Sequence, residues 1–139
     1  MTQDAAPLGD VFRRLIRTTG PISLAHYMAE ANARYYGARD PLGTAGDFVT
    51  APEISQMFGE LIGLWFADIW IRAGREEPVH YIELGPGRAT LAKDALRAAA
   101  RYGFEPQVHF VETSAPLKDM QHDAVPQAMW HDDLSSVPM

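Results

Sequence analysis

The 139-residue chain contains no cysteine. Disulfides, thiolate metal sites and cysteine nucleophiles are therefore excluded, and the composition fits a reducing compartment. Basic runs are also missing, and the net charge is −6. A phosphate-backbone footprint needs clustered Lys and Arg, so nucleic acid is not an expected partner, whereas a basic peptide or protein is compatible. No long apolar run occurs either. The most apolar stretch, residues 54–71, is broken by Glu60 and Asp68 and carries Ser55 and Gln56, so no membrane span is expected. The start, MTQDAAPLGD, has an early acid and no apolar core behind a basic head, so no secretory leader is expected. What is present, 47% hydrophobic and 22% charged residues, is the composition of one globular domain.

Asp10 can cap a first helix that ends at Gly20, with Pro21 behind it. Ser23 can cap a second helix running to about Arg34, with Ile22 and Tyr27 at the positions of a hydrophobic staple. The pattern then stops from Tyr35 to Ala51, in a stretch rich in glycine, aspartate and aromatics. A loop of that length in a small domain is expected to be functional, and its aromatics point to packing. Thr50-Ala-Pro-Glu53 has the form of a capping box, in which Glu53 reaches back to the Thr50 amide. Behind it, Ile54, Met57, Phe58, Leu61, Ile62, Trp65 and Ile69 recur at helical spacing, which predicts a helix burying that face.

Val79–Glu83 reads as a strand, ATLAKDALRAAARYG as a helix closed by Gly103, and Gln107–Val111 as a second strand. Together they make a βαβ unit with parallel strands. Ser114-Ala-Pro116 starts another helix, and residues 128–131 form a third strand. The expected fold is α/β, a Rossmann-like sheet of about three parallel strands preceded by a helical segment. The expected division is a helical and loop region at 1–78 and the start of the sheet domain at 79–139. A doubly wound sheet normally has five or more strands, so the chain is expected to be the N-terminal part of a longer protein.

The octapeptide Glu83-Leu-Gly85-Pro86-Gly87-Arg88-Ala-Thr90 carries the most chemistry. Glycines at 85 and 87 permit a sharp turn at the strand end and close approach of a ligand to the main chain. The following helix offers its amides and positive dipole end. Glu112, closing the second strand, sits where an acid can accept from ribose hydroxyls. The dinucleotide pattern would have a third glycine where Thr90 stands. Glu83 adds negative charge where a pyrophosphate would be repelled and an ammonium welcomed. S-adenosylmethionine carries an ammonium, a carboxylate and a sulfonium but no phosphate, and is the expected cofactor.

The chain also resembles the MidA-like, DUF185-type methyltransferases, which include a mitochondrial complex I assembly factor. The resemblance rests on Gly20-Pro-Ile-Ser23 with Tyr27-Met28, Asp40-Pro-Leu-Gly43, and the run from Gly46 to Gln56. It continues through Phe58-Gly-Glu-Leu-Ile-Gly63 with Trp65, then Glu83-Leu-Gly-Pro-Gly-Arg88, Thr90-Leu91, and Val111-Glu-Thr-Ser114 with Gln121. It implies a class I methyltransferase fold, S-adenosylmethionine as methyl donor and, for the mitochondrial branch, a protein arginine as acceptor. Ala89 stands where the family usually has glycine, and the family's later Asn-Glu-Phe-Phe-Asp-Ala-type block is not reached.

On this reading Glu83, Gly85, Pro86, Gly87, Arg88, Thr90 and Glu112 bind the cofactor. Gly46, Asp47, Phe48, Thr50 and Glu53 form a loop over the cofactor or the acceptor, and no catalytic base is assigned. The five histidines show no metal-ligand spacing, and His131-Asp132-Asp133 reads as a strand end on a solvated turn. The expected compartment is the cytoplasm of a bacterial cell, or the mitochondrial matrix of a eukaryotic one. Two other readings remain: a non-catalytic binding module that keeps the βαβ core, and an NAD-type oxidoreductase fragment.

Overall fold

The computed structural model describes residues 6–38 and 49–138. They fall into two compact units, Met1–Arg39 and Asp40–Met139. The first holds two helices, α1 (Leu8–Thr19) and α2 (Leu24–Ala38). The N-cap of α1 is Pro7, not Asp10, which lies inside the helix and pairs with Arg13 one turn on. Gly20 ends it with φ 82°, a left-handed value that favours glycine. Ser23 does cap α2: its Oγ accepts from the His26 amide at 3.1 Å. Phe12 and Tyr27 stack with centroids 4.8 Å apart, so Tyr27 is engaged by α1.

In the second unit, the helix expected from Thr50 onward is broken. α3 spans Ala51–Ile54, Ser55 is extended (φ −150°, ψ 122°), and α4 spans Gln56–Arg72. The strands are β1 (His80–Leu84), β2 (Gln107–Val111) and β3 (Met129–His131), all parallel and ordered β1-β2-β3. α5 (Thr90–Ala100) connects β1 to β2, and α6 (Ala115–Ala124) connects β2 to β3. A short 3-10 turn, Leu134–Ser136, follows. This is the Rossmann-like arrangement expected from the alternating pattern. The sheet's unit includes α4 and begins at Asp40, whereas the sequence pattern suggested a division near residue 79.

One face of the sheet is packed. Tyr81, Val108 and Phe110 meet Ala89, Ala92, Val125 and Ala128, with Phe66 of α4 and Trp130 against them. Alternation along a strand sends every second residue to the other face. That face carries His80, Ile82 and Leu84 of β1 in register with Gln107, His109 and Val111 of β2. Ile82 and Leu84 are exposed there.

α4 departs from its sequence pattern. Its large apolar residues were expected to form the buried face, yet Met57 is 63%, Leu61 58% and Trp65 57% exposed. The buried residues are instead Gly59, Gly63 and Ala67. This small-residue stripe lets α4 approach α5 so closely that a methyl on Gly63 would lie 2.0 Å from the Ala95 carbonyl oxygen. A close backbone crossing excludes bulky side chains from the contact and turns them outward.

Candidate functional site

The site lies at the carboxyl ends of β1 and β2. Gly85 donates its amide to the Val111 carbonyl at 2.9 Å, anchoring the loop on the neighbouring strand. Gly85 and Gly87 take φ values of 63° and 58°, which side chains disfavour. Nothing lies within 4 Å of the position a Gly85 Cβ would occupy, so the main chain there is open to a ligand. Pro86 is buried and its carbonyl accepts from the Ala89 amide at 2.8 Å, closing the turn.

Ala89 is the N-cap of α5 in the left-handed region (φ 59°, ψ 23°) and is fully buried within the core. The methyl therefore packs against the sheet. An alanine held at such angles costs about 1–2 kcal/mol relative to ordinary backbone. No side chain caps α5, which leaves its amino-terminal end to a ligand as an electropositive edge.

Two strand-end carboxylates flank this loop. Glu83 accepts a 2.6 Å hydrogen bond from the Tyr81 hydroxyl, two residues back on the same face. Burial pushes the Glu83 carboxyl above its usual range, and the Tyr81 bond acts the other way. The Tyr81 hydroxyl is itself pushed far up, by burial first and then by the Glu83 charge and hydrogen bond.

Glu112 closes β2 and is only 8% exposed. Its Oε1 accepts from the amides of Thr113 (2.9 Å) and Ser114 (2.8 Å) at the start of α6. Oε2 accepts from the Gln121 side-chain amide at 3.2 Å. The same Gln121 nitrogen donates to the Gly87 carbonyl at 2.8 Å, so the glycine loop and the Glu112 carboxylate share one partner.

Thr90, at the third-glycine position, has a bond of its own: its hydroxyl donates to Glu53 Oε1 at 2.6 Å. Glu53 Oε2 lies 3.8 Å from an Arg88 guanidinium nitrogen. The expected capping box is thus not formed, because Thr50 makes no side-chain capping bond and Glu53 is turned toward the glycine loop. The break at Ser55 leaves α3 as a separate turn beside α5. The structure therefore brings Glu53 to Arg88 and Thr90, while Thr50 stays exposed at the start of α3. Gly46, Asp47 and Phe48 lie outside the described residues.

Sequence reasoning did not single out Tyr81, Gln121 or Trp130 as site residues. Gln121 had a signal: a glutamine on the inward side of an amphipathic helix, which burial allows only with partners. The histidines hold another arrangement hidden from spacing. His80 Nδ1 lies 3.1 Å from His109 Nε2, and His109 Nδ1 lies 3.0 Å from His131 Nε2. His131 Nδ1 is 2.7 Å from Ser136 Oγ, completing a ladder across all three strands. Asp132 pairs with Lys118, and Asp133 accepts from Ser135, so the His131-Asp132-Asp133 side chains are engaged separately. Among the described residues no group of three potential ligands is placed to hold a metal.

A family model described as "Putative S-adenosyl-L-methionine-dependent methyltransferase" matches residues 61–138, more than half of the chain. The chain belongs to this family. Similar curated proteins include the protein arginine methyltransferase NDUFAF7, mitochondrial, of Bos taurus, 46% identical over 115 residues, covering 76% of this chain and 26% of that protein. Its Homo sapiens counterpart is 43% identical over 127 residues, covering 83% of this chain and 29% of that one. The Drosophila melanogaster homologue is 37% identical over 161 aligned positions, covering 94% and 37%. The chain thus spans between 26% and 37% of the length of these relatives.

Among solved structures, a COG1565 superfamily member from Burkholderia thailandensis bound to S-adenosyl-homocysteine superposes with a TM-score of 0.69 at 25% identity. The match covers 91% of this chain and 37% of that one. A native crystal structure of a COG1565 superfamily protein from the same organism gives a TM-score of 0.64 at 28% identity, covering 91% and 35%.

Proposed function

We propose that this chain forms the half of a methyltransferase that grips S-adenosylmethionine. The observation that carries the reading is the left-handed turn at Gly85 and Gly87, open at Gly85 and flanked by Glu83 and Glu112 at the ends of adjacent parallel strands. That surround suits a ligand with an ammonium and a ribose diol. It opposes a pyrophosphate, which a half-buried carboxylate at position 83 would repel. When bound, S-adenosylmethionine supplies an electrophilic methyl on its sulfonium. The residues of this chain bind and orient. Glu83 meets the ammonium, Gly85 to Arg88 present main chain to the methionine end, and Glu112 accepts from the ribose.

Glu53 ties the segment before α4 to this loop through Thr90 and Arg88, and we assign that segment to the rim of the cofactor site. Holding donor and acceptor in line supplies most of the rate enhancement in a displacement of this type, with little covalent work for the protein. The acceptor we propose is a protein arginine, since relatives 43–46% identical carry that activity in their names. The net charge of −6 is compatible with a basic peptide. A reducing compartment, the bacterial cytoplasm or the mitochondrial matrix, suits a chain without cysteine.

Titration calorimetry with S-adenosylhomocysteine and with NADH separates this reading from a dinucleotide site. The expected result is one-to-one binding of the first and no heat from the second. Binding of NADH alone would replace the proposal with the oxidoreductase reading. Binding of neither by folded protein would leave a non-catalytic module.

A further inference from the structure

Gln121 is the largest fully buried polar side chain among the described residues. It projects from α6, and its amide is held by three partners from three separate parts of the chain. Its nitrogen donates to the Gly87 carbonyl at 2.8 Å and to Glu112 Oε2 at 3.2 Å. Its oxygen accepts from the Trp130 indole nitrogen of β3 at 2.9 Å. The orientation is dictated by chemistry, since an indole N–H can only donate and a main-chain carbonyl can only accept. Trp130, Gly87 and Glu112 together therefore determine which way the amide points, and the amide faces the glycine loop and Glu112 with its donors.

A carboxylate has about four acceptor positions. Oε1 of Glu112 is filled by the Thr113 and Ser114 amides, and Oε2 has already taken one bond from Gln121. What remains for an incoming hydroxyl is on Oε2, the oxygen that Gln121 holds. We propose that Gln121 is the positioning residue of the cofactor site, aiming Glu112 Oε2 at the ribose diol while pinning the Gly87 carbonyl. This rests on the cofactor reading above. Gln121 itself touches neither cofactor nor acceptor. It acts by keeping the reader of the ribose and the glycine loop in one register, with Trp130 holding the amide from the other side.

The test compares two ligands in the 139-residue chain, S-adenosylhomocysteine and its 2′,3′-dideoxy analogue, by calorimetry. In the unaltered chain, removal of both hydroxyls should weaken binding about 30-fold. Gln121→Met keeps the length and removes the donors; it should weaken the parent ligand about tenfold and leave the analogue nearly unchanged, so the ratio falls to about threefold. Trp130→Phe, which removes one of the three bonds that hold the amide, should lower the ratio in the same direction and serves if Gln121→Met does not fold. A residue that merely supported the fold would weaken both ligands alike. Equal weakening, or an unchanged ratio in the folded variants, would overturn the proposal while leaving the cofactor reading intact. A parent and analogue that bind equally well to the unaltered chain would overturn it too. No binding of the parent ligand to the unaltered chain would overturn the cofactor reading, and this inference with it.

Discussion

Tyr81 donates its hydroxyl to Glu83, a carboxylate that burial otherwise pushes toward the protonated form. An ammonium pairs with the charged form, so ligand affinity should rise as pH climbs through the elevated Glu83 pKa. Tyr81→Phe removes the bond that opposes burial, which moves that rise to higher pH. The expected outcome is S-adenosylhomocysteine affinity about 3- to 10-fold weaker on the acid side of that rise, converging with the unaltered chain on its alkaline side. Superimposable pH profiles for the two proteins would sink the assignment of Glu83. The positions of several of these residues were legible in the linear pattern, because a glycine turn after a strand and an acid closing the next strand are local features. The Tyr81–Glu83 bond follows from strand alternation and could have been read as well. Glu53 could not: its capping-box spacing was correct, and only the approach of α3 to α5 shows that Thr90 claims its carboxylate.

At the scale of elements, the crossing of α4 over α5 depends on Gly59, Gly63 and Ala67 against the alanine-rich face of α5. A methyl at Gly63 meets the Ala95 backbone, which has no rotamer to escape into. Gly63→Ala should therefore force the helices apart and cost about 3 kcal/mol or more, read as a lowered midpoint in urea unfolding. A loss below about 1 kcal/mol would mean that the crossing is looser than described. This is also where sequence periodicity misled. The hydrophobic spacing in α4 marked the correct helix but the wrong buried face, since area favours the large residues while close packing selects the small ones.

The histidine ladder is likewise a property of paired strands. His109 is buried, and burial, then His131 and His80, hold its pKa below the ordinary histidine value. A depressed pKa means that the unfolded chain takes up a proton the folded chain refuses. Stability should then be full above about pH 6.5 and fall as pH drops below it. His109→Leu should flatten that slope between pH 7.5 and 5.5 in urea titrations. An unchanged slope would show that the ladder does not carry the linkage.

For the whole molecule, the sheet unit has three parallel strands with α4, α5 and α6 on one face, and its opposite face exposes Ile82, Leu84 and Met129 among the described residues. The family's fold is recognisable in this portion at a TM-score of 0.69 over 91% of the chain. Fold class was legible because alternation of strand and helix needs no long-range information. The sharing of Gln121 between the glycine loop and Glu112 was not, since it appears only once β3 brings Trp130 alongside.

The central claim, that this chain grips S-adenosylmethionine between the glycine loop and Glu112, is tested most directly by a two-dimensional amide NMR titration with S-adenosylhomocysteine. The largest shifts should fall on the amides of Gly85, Gly87 and Glu112, the Gln121 side-chain amide and the Trp130 indole. A saturating titration that leaves those signals in place, or moves signals elsewhere in the fold, would contradict it.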